Sequence, residues 1–309
     1  MNTPSNVMAE SRSRSEAVAP VEISPAWRLY WSVRRELWEN RAVYLAPLAV
    51  AAVFLVGFFI RLIYLPDGMR AALALGPTQQ QEAIEQPYVI VAIMLMAIDL
   101  LVAVFYCLDA PYGERRDRSI LFWKALPVSD LTTLISKASI PILVLPLVTF
   151  AVTVATQFIM MLVSSAVLAG SGMSPATLWT HVPFFKTSLI NLIHLVGFHG
   201  IWYAPFYGWL LMVSAWAKRA PFLWATLPPV ALGVVEKIAF NTSHFAAMVQ
   251  YRFMGGAEPA APAGRMTMDM LAPDPLGQFL TSAGLWIGLA VTALFLFAAV
   301  RLRRSRGPI

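Results

Sequence analysis

Charge is scarce in this chain. Asp, Glu, Lys and Arg make up 13% of its 309 residues, against roughly 25% in a soluble globule. Apolar side chains fill the deficit, at 58% of the sequence and a mean hydropathy of +0.65. So little charge cannot cover a water-exposed surface of this size, which excludes one or two soluble domains and leaves an all-α chain that crosses a bilayer repeatedly. The single cysteine, Cys107, lies inside an apolar run, so no intramolecular disulfide forms. Residues 1–23 are polar and Ser/Arg-rich with no apolar stretch directly after them, so they read as a disordered cytoplasmic tail and not a cleaved signal peptide.

The motifs of chemistry are missing too. There is no G-x-x-x-x-G-K-[ST] loop, so no nucleotide is bound in a P-loop here. No Ser-His-Asp or Cys-His arrangement presents itself, and His194 and His199 are spaced five apart, which misses the i, i+4 spacing of an H-E-x-x-H zinc helix. The chain is therefore expected to be no enzyme and to hold no metal or cofactor. Net charge is +6, but no basic stripe alternates with stacking aromatics, so nucleic acid is not an expected partner.

What is there is a series of apolar runs. A hydrocarbon core of about 30 Å takes roughly 20 helical residues, and six runs meet that length: 42–62, 87–109, 137–168, 188–216, 221–240 and 279–300. Pro141 and Pro146 predict a kink in the third, and Pro228-Pro229 one in the fifth. The Lys and Arg residues flanking these runs are unevenly shared. Arg61, Arg70, Lys186, Lys237, Arg252 and Arg265 fall on one side, and the rest of the 23 fall on the other. The positive-inside rule puts that richer side, with both termini, in the cytoplasm. The basic end, 301–309, forms a cytoplasmic tail. Outside lie a polar loop around 64–86 and a long connection, 241–278, with a Gly/Ala/Pro-rich centre.

Before the first run, Ser24 caps a helix with Pro25 at its first position, over 24–41. At 100° per residue, Trp27, Tyr30, Trp31, Val33, Leu37 and Trp38 share one face, and Arg28, Ser32, Arg35, Glu36 and Glu39 the other. The pattern predicts a helix lying in the membrane interface, its polar face in water.

Ionisable and amide groups within the spans are costly and point to function. Asp99 stands midway along the second run, and Gln157 and Asn191 are the expected hydrogen-bonding partners. With Glu236 near the outer end of the fifth run, these four are candidates for a polar translocation path.

Between the second and third runs, a loop at 111–136 carries the charged island Glu114-Arg115-Arg116-Asp117-Arg118-Ser119. Pro111-Tyr112-Gly113 is expected to end the second span. Ser119 to Leu126 then form a short helix that Pro127 stops, and Ser129 caps the next helix. Aromatic anchors with a charged rim suit docking. The candidate docking residues are Glu114, Arg115, Asp117, Arg118, Ser119, Phe122, Trp123, Lys124 and Pro127.

The order E-R-x-x-x-S, an apolar helix, L-P-V-S-D and then Lys137 resembles the cytoplasmic loop of ABC-2 type transporter permeases. A common form of that motif has Gly-Thr where this chain has Arg118-Ser119. The resemblance implies a six-span subunit with an N-terminal interfacial helix and a cytoplasmic coupling helix that inserts into an ABC ATP-binding subunit. It further implies two copies of that ATPase, a second permease copy or paralogue, and ATP and Mg on the partner and none on this chain. Location would be the cell inner (cytoplasmic) membrane, multi-pass. Export of an amphipathic or hydrophobic peptide, lipid, glycan or drug follows as the expected activity. The alternative class is a membrane scaffold or immunity protein that holds a partner without ATP-driven transport.

Overall fold

The computed structural model describes residues 24–125, 128–253 and 280–305, and every element among them is helical. In chain order they are α1 (Pro25–Glu39), α2 (Ala42–Arg61), α3 (Leu65–Leu73), α4 (Pro77–Arg116) and α5 (Ile120–Ala125), then α6 (Asp130–Ser139) and α7 (Leu145–Gly170). They continue as α8 (Ala176–His181), α9 (Phe184–Ile193), α10 (Ala204–Trp216), α11 (Pro221–Phe240), α12 (His244–Phe253) and α13 (Ala283–Ser305). Two π-helical stretches, Ile140–Val144 and His194–Trp202, join α6 to α7 and α9 to α10. The expectations for 1–23, Pro127 and most of 241–278 fall outside the described residues.

Five helices are long and apolar enough to cross a membrane: Ala42–Leu73, Pro77–Arg116, Asp130–Gly170, Pro221–Phe240 and Ala283–Ser305. Ala176–Trp202 and Ala204–Trp216 reach that test only together, across a 44° bend at Tyr203. The run 188–216 is thus broken, because Pro205 in the first turn of α10 has no amide to continue the ladder.

Other boundaries differ from expectation for local reasons. The second run is a 40-residue helix, α4, that starts ten residues early and passes straight through Pro111. The Ser214 hydroxyl makes this possible: it donates to Leu108 O at 2.7 Å and accepts from Tyr112 N at 3.0 Å. It thereby bridges the two backbone groups that an undisturbed turn would join directly. Glu114 and Arg115 are consequently the last turn of a helix and not part of a loop. The expected polar loop at 64–86 is mostly helix as well, with α3 and the first turns of α4 packing together. At Pro141 the chain widens into a π turn and continues, where a kink was expected.

The core is built in layers along α4. One cluster gathers Tyr88, Val91 and Leu95 of α4 with Met160, Met161 and Leu168 of α7 and with Ala51 and Phe58 of α2. A second, nearer the C-terminal end of α4, joins Val102, Ala103, Tyr106 and Cys107 to Ile140, Leu145, Tyr207 and Leu211. Helices α10 and α13 pack along one another, with Gly208 letting Thr292 and Phe295 approach. By contrast α11 exposes nearly all of its apolar surface, as a helix facing lipid does.

Candidate functional site

The charged island folds into two different things. Its first half is a buried ion cluster. Lys137 Nζ lies 2.9 and 3.0 Å from the two carboxylate oxygens of Glu36 and 3.0 Å from Glu114 Oε1. Arg303 pairs with the other oxygen of Glu114 and, through Nε, with Asp130 Oδ1 at 2.9 Å. Arg35 reaches Glu36 at 2.6 Å and stands 3.6 Å from Glu114. The Tyr106 hydroxyl donates to Glu36 Oε2 at 2.9 Å. Glu36, Lys137, Glu114 and Arg303 are all buried, so α1, α4, α6 and α13 are tied together at one pole of the bundle. Beside it, Arg115 donates to Ala215 O and Ala217 O at 2.9 and 3.0 Å, closing the C-terminal end of α10.

Electrostatics explain why such a cluster is tolerated. Burial pushes the Glu36 carboxyl upward, but Lys137 and Arg35 outweigh it and hold it below the usual carboxylate range. The cluster corrects the expectation for α1. Ser24 caps the helix as expected, accepting from Trp27 N. Part of its polar face is buried, however: Ser32 and Glu36 turn into the protein beside the partly buried Val33 and Leu37, while Arg28 and Glu39 stay exposed. Trp27, Tyr30, Trp31 and Trp38 point outward, and the Arg34 guanidinium lies over Trp31 and Trp38. Helical periodicity separates two faces but does not say which turns inward; the choice is made by Lys137, a hundred residues away.

The second half of the island is a surface. Arg116, Asp117 and Arg118 are exposed, and Arg118 adopts φ +61°, the left-handed region that favours glycine. That turn starts α5, with Ser119 Oγ donating to Glu114 O at 3.4 Å. Ile120 anchors α5 in the core, while Leu121 and Phe122 are about 60% exposed, at 59% and 62%. Trp123 packs edge-on against Phe122, and the Arg35 guanidinium sits 4.0 Å above its ring. Lys124 is exposed at the end of the helix. Arg35 therefore touches both halves, the ion cluster and the exposed turn. Two expected docking residues, Glu114 and Arg115, stand behind this surface as its support. Ser129 caps α6 as expected, accepting from Thr132 N at 3.1 Å.

The four path candidates are dispersed. Asp99 is fully buried, but it accepts from Thr149 Oγ1 at 2.8 Å and faces His199, not Gln157 or Asn191. Gln157 donates instead to Tyr88 O at 3.0 Å. Asn191 is buried with no hydrogen-bond partner for its amide among the described residues. Glu236 caps α12: its carboxylate accepts from Thr242 Oγ1, His244 N and Phe245 N at 2.7–2.9 Å.

Among the described residues, no group of three or more His, Cys, Asp and Glu side chains is placed to hold a metal ion. No family model matches this chain, and no curated protein or solved structure is significantly similar to it.

Proposed function

We propose that this chain is the transmembrane subunit of an ATP-driven transporter of the ABC-2 type. In this reading it lies in the inner membrane with the ion-cluster pole in the cytoplasm. It pairs with a second copy or a paralogue and with two separate ATP-binding subunits that carry ATP and Mg. Its six spans count the bent pair around Tyr203 as one. The cargo is an amphipathic or hydrophobic peptide, lipid, glycan or drug, moved outward past Asp99, Gln157 and Asn191.

One observation carries the reading. The exposed pair Leu121–Phe122, rimmed by Arg116, Asp117, Arg118 and Lys124, is mounted on a brace of buried ion pairs. An idle connector has no need for a rigid mount, whereas a coupling helix does. Force applied at Phe122 passes through Trp123 to Arg35, and from there to Glu36, Glu114 and Lys137. Four helices then move as one body against the rest of the bundle, which the π turns at Ile140–Val144 and His194–Trp202 allow to flex. For ATP to drive the change, the docked ATPase must bind the two permease states with different affinity.

The test is whether a neighbouring gene encodes a Walker A ATPase and whether that ATPase co-purifies with this chain and hydrolyses ATP when the two are reconstituted. Leu121→Ala with Phe122→Ala is expected to abolish association while leaving the subunit folded. Unchanged association and unchanged stimulation of ATP hydrolysis would sink the docking role. A partner without a nucleotide-binding motif, held at the same surface, would favour the scaffold alternative.

A further inference from the structure

Asp99 and His199 meet inside the bundle, about 10 Å along α4 from Tyr106, which touches the ion cluster. Asp99 lies about 33 Å along α4 from its first residue and about 26 Å from its last, so it sits near the middle of that helix. Its Oδ1 accepts from Thr149, and its Oδ2 stands 3.5 Å from His199 Nδ1. Neither Oδ2 nor Nδ1 has a hydrogen-bond partner among the described residues, and both atoms are buried. The two groups are thus aimed at each other across a gap that closes by a small movement.

Arg252 of α12 brings a cation to the π stretch that carries His199, its guanidinium 4.2 Å from the Trp202 ring, but it makes no ion pair with Asp99. His199 is the one ion-pairing partner of Asp99 among the described residues. On the same π stretch, His194 lies 5.7 Å away ring to ring. Tyr203 meets the His199 ring edge-on at 5.6 Å, and the Tyr207 hydroxyl of α10 donates to the His199 backbone carbonyl. From α7, Thr149 donates to Asp99, and Thr153 of the same helix donates to the Thr149 carbonyl. A bare carboxylate facing a neutral imidazole would leave an unmatched charge in a medium that does not solvate it. One shared proton removes that charge, whether it sits on Oδ2 or on Nδ1.

We infer that Asp99 and His199 form a proton-binding site inside the bundle, holding one proton between them. Binding takes a proton from water onto the pair and changes its charge from −1 to 0; release is the reverse, and no other atom is exchanged. The geometry places this site where the bundle is least regular. His199 belongs to one π stretch, and Gly200 beside it presses on Ile142 of the other, so closely that a Cβ at Gly200 would stand 2.1 Å from Ile142 O. Thr149 lies just after that second stretch. Motion of the His199 stretch relative to α4 therefore changes the Asp99–His199 separation. The site is independent of the docking surface, and it stands or falls separately from the transporter reading.

The experiment uses the full chain in lipid nanodiscs at neutral pH. Infrared spectroscopy reads the Asp99 carboxyl, identified by its loss in Asp99→Asn. Nitrogen NMR of histidine-labelled protein reads the His199 ring, which His199→Gln identifies among only 4 histidines. The wild type is expected to show one of two signatures and not the other: a protonated carboxyl at Asp99 or an imidazolium at His199. Finding neither, or both, overturns the inference. In His199→Gln the proton must reside on Asp99, so its carboxyl band is expected at neutral pH and is lost in the double variant; a carboxylate there overturns the inference as well. Should His199→Gln fail to fold, the wild-type signatures decide alone.

Discussion

Lys137 is the counter-ion of two buried carboxylates, Glu36 and Glu114, and is itself 1% exposed. Replacing it by Met leaves both without their shared partner, a change that costs about 3–5 kcal/mol when a buried pair is broken from one side. The expected outcome is a large fall in the unfolding temperature of the detergent-purified protein, partly recovered in the Lys137→Met/Glu36→Gln double variant. Gly200 is equally constrained for a different reason. A methyl group there meets a backbone carbonyl and not the end of a flexible side chain, so Gly200→Ala must force the two π stretches apart. Loss of the monodisperse peak in size-exclusion chromatography is the expected readout, and an unaltered peak would show that the contact is not tight. Arg118 tests the opposite direction. Its left-handed φ is costly for any residue with a Cβ, and Arg118→Gly is expected to raise the unfolding temperature slightly, offset in part by the added freedom of glycine when unfolded.

Helices show where the linear pattern stops being informative. The caps at Ser24 and Ser129, the apolar length of the spans and the exposed apolar turn at Leu121–Phe122 were readable because each depends on neighbours a few residues away. The direction of α1 was not, because Glu36 looks like any solvated acid until Lys137 and Tyr106 are brought beside it. The continuation of α4 past Pro111 was equally hidden, since it rests on a Ser214 hydroxyl from another helix. The same holds for Arg303, which reads as part of a basic tail yet is 5% exposed between Glu114 and Asp130. The attachment of α1 makes a pH-dependent prediction. The Glu36 carboxyl is held below its ordinary value of 4.5, so its contribution is complete above that value and is lost as pH falls through the depressed one. Acidification should therefore release α1 ahead of the spanning helices. Limited proteolysis across an acid series checks this, and α1 should remain protected throughout neutral pH.

At the scale of the whole molecule, the ion cluster and the Asp99–His199 pair divide the bundle into two zones, with the apolar Val102, Ala103, Leu145 and Leu211 packed in the layer around α4 between them. One zone is a rigid, charged pole that presents a small apolar turn outward. The other is an irregular polar interior flanked by π turns. Such a division suits a body that is pushed at one end and rearranges in the middle, which is the work of a permease driven by an external ATPase. The claim rests most heavily on what touches Phe122. A photo-crosslinking amino acid placed at position 122 of the full chain, activated in intact cells, captures that neighbour directly. The account predicts a crosslinked partner whose peptides contain a Walker A motif, with capture lost when the partner's gene is deleted. A crosslink only to lipid, or to a protein with no nucleotide-binding motif, would contradict it.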